Sequence, residues 1–237
     1  MDIQPDNGTD PTSVGHRLVA EHTIYAGVVG SRAHGLAGPR SDTDRRGVYA
    51  APAELFWRLE PPPSHVDGPG EDHVSWELAH FCGLALSANP TVLECLWTPL
   101  VESIDDTGRE LIALRSAFLS RRVAATYGGY ARTQLGKLEA TRARTGSVNG
   151  KQAMHLLRLL RCGLQVVRTG EVLVDVGEYR EELLAVRRGE VPIDEVRRIA
   201  AGLAAELVRA ERSSPVPLEP DRLAVEDFLI RTRRASL

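Results

Sequence analysis

The sequence predicts an α+β fold, with short strands and helices in the first half of the chain and helices in the second half. Strand-like apolar runs occur at residues 24–29, 44–50 and 72–76, each bounded by turn-forming or polar residues. From Asp105 onward, apolar residues recur mainly at helical spacing. This change of pattern predicts a mixed first part and a helical second part.

The change of pattern also predicts the domain organisation. Residues 1–13 are polar and rich in turn formers, so we expect a disordered tail. We expect a first domain at residues 14–118 and a helical domain at residues 119–237. A loop is predicted at residues 60–71, where Pro and Gly cluster.

Composition is ordinary for a soluble globular protein of 237 residues, with 43% hydrophobic and 26% charged residues. The net charge of −3 provides no global basic field, so nucleic-acid binding would need local basic patches. Cys82, Cys95 and Cys162 lie far apart in apolar stretches, which predicts buried thiols rather than disulfides or a zinc site. We find no signal peptide or membrane-spanning run and expect a cytoplasmic protein.

Residues 27–49 carry the most informative pattern. The apolar pair Val28-Val29 ends in Gly30-Ser31, a turn directly after a predicted strand. Glycine lets the backbone approach a ligand closely, and Ser31 is predicted to cap a short helix whose N–H groups face an anion. The sequence therefore predicts a phosphate-binding turn.

Two aspartates, Asp42 and Asp44, lie at the start of the next strand and are separated by one residue. Side chains two apart in a strand point to the same side, so the carboxylates would repel each other unless a cation lay between them. Hard oxygen ligands suit Mg²⁺ or Mn²⁺. A Gly-Ser turn or an Asp-x-Asp pair is more often structural when alone, but their order and spacing together favour a metal and phosphate site.

The segment Gly30-Ser31 followed by Ser41–Tyr49 resembles the signature of the DNA polymerase beta-like nucleotidyltransferase superfamily. Its residue pattern is similar to that of the RlaP/YcgL-like branch, a group of predicted nucleotidyltransferases associated with RNA repair. The resemblance implies a small mixed β-sheet of the palm type flanked by helices. It also implies metal-dependent transfer of a nucleoside monophosphate from a nucleoside triphosphate to an acceptor hydroxyl, with Asp42 and Asp44 as catalytic metal ligands and Gly30 and Ser31 on the nucleotide.

The resemblance further implies a third catalytic carboxylate on a neighbouring strand. Glu77, which opens the helix predicted at residues 78–87, fits the pattern better. Asp72, at the start of the predicted third strand, stays open as the alternative. Glu77 is also explained by a structural role, because a carboxylate at a helix start complements the helix dipole.

A second block, Asn89-Pro90 through Trp97, resembles another characteristic segment of the family. Its residues are expected to pack and orient the site. Glu94 is the exception, because a carboxylate in an otherwise apolar helix deserves a functional test.

Cationic residues on two predicted helices complete the expected site. In the helix at residues 151–169, Lys151, His155 and Arg158 fall on one face, and residues 154–160 resemble a third family block. Lys137 belongs to a polar ridge on the preceding helix. A solvated basic face would explain the spacing equally, but the resemblance favours binding of the nucleotide's phosphates by all four side chains.

The acceptor is the least constrained part of the interpretation. The resemblance implies RNA, with a tRNA-like end as one case, and the alternatives are a small molecule such as an aminoglycoside, a protein side chain, or a catalytically silent nucleotide-binding regulator. The basic residues that would contact RNA are Arg121, Arg122, Arg132, Arg142, Arg144 and Lys151. The sequence does not predict the preferred base, the number of metal ions or the oligomeric state.

Overall fold

The computed structural model of this protein describes residues 13–237, so the predicted disordered tail lies almost entirely outside the described residues. A mixed five-stranded sheet lies in the first half of the chain. Its strands are β1 Thr23–Val29, β2 Asp44–Tyr49, β3 His65–Asp67, β4 His73–Glu77 and β5 Val101–Ile104.

The strand order is β3-β4-β2-β1-β5. Strands β2 and β4 run parallel, whereas the β1–β2, β1–β5 and β3–β4 pairs are antiparallel. The α+β class and the small mixed sheet are thus confirmed. Strands β3 and β5 were not predicted, because they are three and four residues long and show mostly exposed side chains.

Helices flank the sheet and form most of the second half. In the described residues they are α1 Val14–His22, α2 Gly30–Ala33, α3 Leu78–Leu86, α4 Pro90–Trp97, α5 Asp106–Ala113, α6 Arg122–Thr145, α7 Gly150–Thr169, α8 Arg180–Arg188, α9 Ile193–Glu211 and α10 Arg222–Ala235. Helices α6 and α7 are followed by the left-handed C-cap glycines Gly146 and Gly170.

One continuous hydrophobic cluster joins the two halves of the chain. It contains buried side chains from Ile24 in β1 to Phe228 in α10. Helix α7 lies at its centre, packed against α6, α8 and α9. The domain boundary between residues 118 and 119 stays a prediction, since the core does not divide there.

Helix α10 returns the end of the chain to the sheet. Val225 and Phe228 are fully buried on its inner side. Arg233 donates a hydrogen bond to the Ala51 carbonyl oxygen and forms an ion pair with Glu77. The last helix therefore covers the end of β4 that lies away from Asp72.

The three cysteines are buried free thiols, as predicted. Across residues 13–237, no helix is both long enough and apolar enough to cross a membrane.

Candidate active site

The turn after β1 is shaped by its proximity to the first strand residue of β2. Gly30 adopts φ +66°, a left-handed conformation that favours glycine, and a Cβ at this position would overlap Asp44 Oδ2. The glycine of the turn and an aspartate of the pair are thus in direct contact. The prediction that Ser31 caps the helix is wrong: Val29 occupies the N-cap of α2, and Ser31 is the second helical residue.

A cavity of about 830 Å³ opens beside this turn. It lies between the Gly30–Ser31 turn, the start of β2, α4 and the first turns of α7. Of the predicted site residues, those that line it are Gly30, Ser31, Asp42, Asp44, Asp72, Lys151, His155 and Arg158. Glu77 and Lys137 are not among the described residues that line the cavity.

Three aspartates meet at the cavity wall. Asp44 is the first residue of β2, and exposed Asp42 precedes the strand. Arg45 of β2 lies opposite His73, the first residue of the parallel strand β4. The preceding residues, Asp44 in β2 and Asp72 just before β4, therefore lie at the same end of the two neighbouring strands. The structure therefore brings Asp72, the alternative third carboxylate, to the aspartate pair.

The electrostatics at Asp44 favour a bound cation. Burial raises the pKa of Asp44; nearby Arg46 lowers it, and the charges of Asp72 and Asp42 raise it further. The charge of Lys151 lowers the pKa of Asp44. The net result is a raised pKa, which means that the ionised carboxylate lacks part of the positive charge that would stabilise it.

Mg²⁺ or Mn²⁺ fits this arrangement of donors. Within residues 13–237, no group of three or more His, Cys, Asp or Glu side chains forms a ready-made metal cage. Magnesium rarely requires one, because it is commonly held by one or two carboxylates together with waters and substrate phosphates. An open pair of aspartates beside a cavity large enough for a nucleotide is consistent with that mode of binding.

Glu77 lies away from the aspartates. It is at the opposite end of β4, about 16 Å from Asp72 at ~3.3 Å per strand residue, and is only 3% exposed. Its Oε2 accepts a hydrogen bond of 2.7 Å from the Ala79 N–H at the start of α3, and its Oε1 pairs with Arg233. Glu77 therefore caps α3 away from the cavity, whereas Asp72, the alternative for the third carboxylate, lines it.

A buried ion pair forms the floor of the cavity. Arg158 of α7, 5% exposed, donates through Nη1 to Glu94 Oε1 of α4 at 2.5 Å. His34, at the end of α2, places Nε2 3.5 Å from Glu94 Oε2 and donates through Nδ1 to the Val174 carbonyl oxygen at 2.9 Å. His155 Nδ1 lies 3.4 Å from Arg158 Nη2.

These contacts change the charge expected for the face of α7 that carries Lys151, His155 and Arg158. Burial alone would raise the pKa of Glu94, but Arg158 and His34 outweigh it and leave that pKa lowered. Burial and the Arg158 guanidinium lower the pKa of His155 to about 4, so its ring is neutral at pH 7. Because Glu94 neutralises Arg158, the positive charge of the predicted face resides on Lys151.

Arginines that the sequence did not identify also border the cavity. Arg40, Arg46 and Arg187 line it, and Arg187 Nη1 donates to the Leu36 carbonyl oxygen at 3.0 Å. Arg187 reaches the site from α8, more than 140 residues after the Gly-Ser turn, so no local pattern could reveal it. Arg45 faces away and pairs with Glu102 at 2.8 Å.

The sheet topology, the Gly-Ser turn and the aspartates beside it define a class of protein, the DNA polymerase beta-like nucleotidyltransferases. The model of one family within this class, RlaP, described as the RNA repair pathway DNA polymerase beta family, matches residues 14–231. The chain belongs to this family. None of the curated proteins matches the chain at a significant level of similarity.

Proposed function

We propose that this protein is a metal-dependent nucleotidyltransferase that moves a nucleoside monophosphate from a nucleoside triphosphate to an acceptor hydroxyl at an RNA end and releases pyrophosphate. The observation that carries the proposal is the meeting of Asp42, Asp44 and Asp72 with the Gly30–Ser31 turn at one cavity. Family membership supports the class of reaction.

The carboxylates have distinct roles in this proposal. Asp42 and Asp44 would hold Mg²⁺ or Mn²⁺, which supplies charge neutralisation for the phosphates and acidifies the attacking hydroxyl. Asp72, directly before the neighbouring strand β4, would complete the set and accept the proton of that hydroxyl. Glu77 stabilises the fold instead.

The phosphates would lie between the turn and the cationic side chains. Gly30 and Ser31 line the cavity where the backbone comes closest to Asp44. Lys151 faces the aspartates closely enough to lower the pKa of Asp44, so it is suited to neutralise negative charge that develops on the leaving pyrophosphate. Arg40, exposed at the rim, adds a second cation.

An RNA acceptor is supported by the basic residues of α6. Arg122, Arg132 and Arg144 are exposed there. Arg121 is committed to the Val216 and Ser214 carbonyl oxygens and is therefore structural. Exposed arginines of this kind would suit a phosphate backbone.

The test is a panel of the four α-labelled nucleoside triphosphates with Mg²⁺ and total host RNA. We expect label on RNA and release of pyrophosphate, both abolished in Asp42→Asn. Label on protein or on a small hydroxyl compound would reject the RNA acceptor. Nucleotide binding without pyrophosphate release for any acceptor would reject the enzyme in favour of a regulator.

A further inference from the structure

An arginine from the helical half of the chain reaches the cavity without a carboxylate partner. Arg187 of α8 lines the cavity and is partly buried. Its Nη1 donates to the Leu36 carbonyl oxygen at 3.0 Å. Within residues 13–237 it forms no ion pair, and its Nε and Nη2 have no protein acceptor and retain accessible surface. The guanidinium therefore keeps its charge and its remaining N–H donors for a ligand.

The position of Arg187 is fixed from two sides. The Leu36 N–H donates to the Ser31 carbonyl oxygen at 2.9 Å, so Leu36 connects the guanidinium to the Gly-Ser turn. Gly150 packs so tightly against the Arg187 backbone that a Cβ would collide with its carbonyl oxygen. The next residue, Lys151, lines the same cavity. Arg187 thus lies between the turn and the lysine, the two groups to which the proposed function assigns the phosphates.

Other contacts join the same region to the turn independently of Arg187. Arg180 Nε donates to the Gly35 carbonyl oxygen at 2.9 Å, and the Val176 N–H donates to the His34 carbonyl oxygen at 3.2 Å. Because these hydrogen bonds stay when the Arg187 side chain is changed, a substitution there is expected to leave the turn in place.

The contacts also indicate which phosphates would lie near Arg187. The reacting α-phosphate has to lie at the metal held by the aspartates, and Gly30 is the turn residue that touches Asp44. From Gly30 the turn leads on to Leu36 and Arg187. Lys151 is among the charges that most affect the pKa of Asp44, whereas Arg187 is not. A planar guanidinium at this distance from the aspartates suits the outer phosphates, because it can donate to two phosphate oxygens together.

We propose that Arg187 is a substrate-binding residue that donates hydrogen bonds to the β- and γ-phosphates of the bound nucleoside triphosphate. The proposal rests on the proposed function, since it presumes that the cavity binds such a nucleotide. In the reaction, the acceptor oxygen bonds to the α-phosphorus, and the bond from that phosphorus to the oxygen bridging it to the β-phosphate breaks. This oxygen leaves with pyrophosphate, and Arg187 would neutralise part of the charge that pyrophosphate gains.

The experiment measures equilibrium binding by calorimetry with Mg²⁺ and without an acceptor. The full chain is titrated with ATP, CTP, GTP and UTP, and the tightest ligand is compared with its own monophosphate. The same series is measured on Arg187→Gln, which removes the charge but keeps an amide donor for Leu36. Arg188→Gln is the matched control, because Arg188 is the next residue of α8, is exposed, pairs with Glu190 and lies outside the cavity lining.

We expect Arg187→Gln to weaken the triphosphate about tenfold or more and to leave the monophosphate within about twofold, because only the triphosphate carries the contacted groups. Arg188→Gln should change neither affinity. Equal weakening of both ligands would show that Arg187 acts only through the turn, and an unchanged triphosphate affinity would show that it makes no contact. Either result would overturn the inference. Failure of the unsubstituted chain to bind any of the nucleotides would instead reject the proposed function.

A thermal melt establishes that each variant is folded. If Arg187→Gln does not fold, Arg187→Lys decides instead. An ammonium cannot serve Leu36 and two phosphates together, so the triphosphate should still weaken by about threefold or more, with the monophosphate unchanged. An unchanged preference for the triphosphate in Arg187→Lys would then overturn the inference.

Discussion

The ion pair of Glu94 and Arg158 stabilises the floor of this site. Both side chains are about 6% exposed, and each is the main charge partner of the other. Two charges buried together are tolerable, whereas one alone is not. The pair also fixes α4 against α7, and His34 connects it to the end of α2.

Replacing Glu94 by Gln should therefore destabilise the protein strongly. We expect a loss of about 3–5 kcal/mol in the free energy of unfolding, because the Arg158 charge stays buried without its partner. Urea denaturation followed by circular dichroism measures it. Glu195→Gln, which removes a surface partner of exposed Arg198, is the control and should leave the midpoint unchanged; equal midpoints for both variants would contradict this expectation.

His155 predicts a pH dependence of stability. Its pKa is lowered to about 4 in the folded chain, against about 6.5 when unfolded. Between these values the unfolded state binds the extra proton, so stability rises with pH from 4 to 6.5 and this contribution is flat above. The slope is at most about 1.4 kcal/mol per pH unit for one histidine.

His155→Gln should reduce that slope. Unfolding free energies from urea melts at pH 4.5, 5.5, 6.5 and 7.5 give the comparison with the unsubstituted chain. His34, whose pKa is also lowered, is expected to keep part of the dependence in the variant. A slope that is identical in both proteins would show that the His155 ring is not held neutral by its surroundings.

At the scale of elements, helix α10 is joined to the five-stranded sheet by contacts of Arg233. Arg233 reaches from α10 to Glu77 at the end of β4 and packs its guanidinium over the Phe56 ring, 4.1 Å from its centroid. Glu77 in turn caps α3. Arg233 thus connects the end of β4 and the start of α3 to helix α10, which begins about 140 residues later in the chain.

Arg233→Met should uncouple this connection and leave Glu77 buried without its partner. We expect a loss of about 3 kcal/mol in unfolding free energy. Arg231→Met, two residues earlier on α10 and paired with exposed Glu110, is the matched control. Thermal melts of both variants decide: a midpoint as high for Arg233→Met as for the control would show that α10 docks through its apolar residues alone.

The strands and helices that carry strong local patterns were predictable, and the others were not. Strands β1, β2 and β4 and helix α7 have apolar runs long enough to identify, whereas β3 and β5 exist because neighbouring strands offer them partners. The aspartates of the site were likewise visible as a local motif. The contact of Glu77 with Arg233 could not be predicted, because Arg233 lies 156 residues away, a distance across which no spacing argument applies.

At the scale of the whole molecule, three distant segments of the sequence meet at one cavity. The Gly-Ser turn ends β1, the Asn-Pro block forms α4, and the basic block forms α7. His34, Glu94 and Arg158, one from each segment, are joined by contacts of 2.5 and 3.5 Å. The continuous core fixes these segments relative to the sheet, so that the aspartates and Lys151 line one cavity.

The central claim is that Asp42, Asp44 and Asp72 form the reacting carboxylate set and that Glu77 does not. The most direct measurement is pyrophosphate release with labelled transfer to RNA, at saturating nucleotide, for Asp44→Asn, Asp72→Asn and Glu77→Gln. Circular dichroism and a thermal melt are recorded for each variant. The transfer assay is then run at a temperature where all three variants remain folded.

The account predicts a loss of at least about 100-fold for Asp44→Asn and Asp72→Asn, with little loss of folding stability, because each removes an interaction made at the reacting atoms. Glu77→Gln should lower the melting temperature yet keep transfer within about threefold of the unsubstituted chain. Full activity in Asp44→Asn or Asp72→Asn, or loss of transfer in a well-folded Glu77→Gln, would contradict the account.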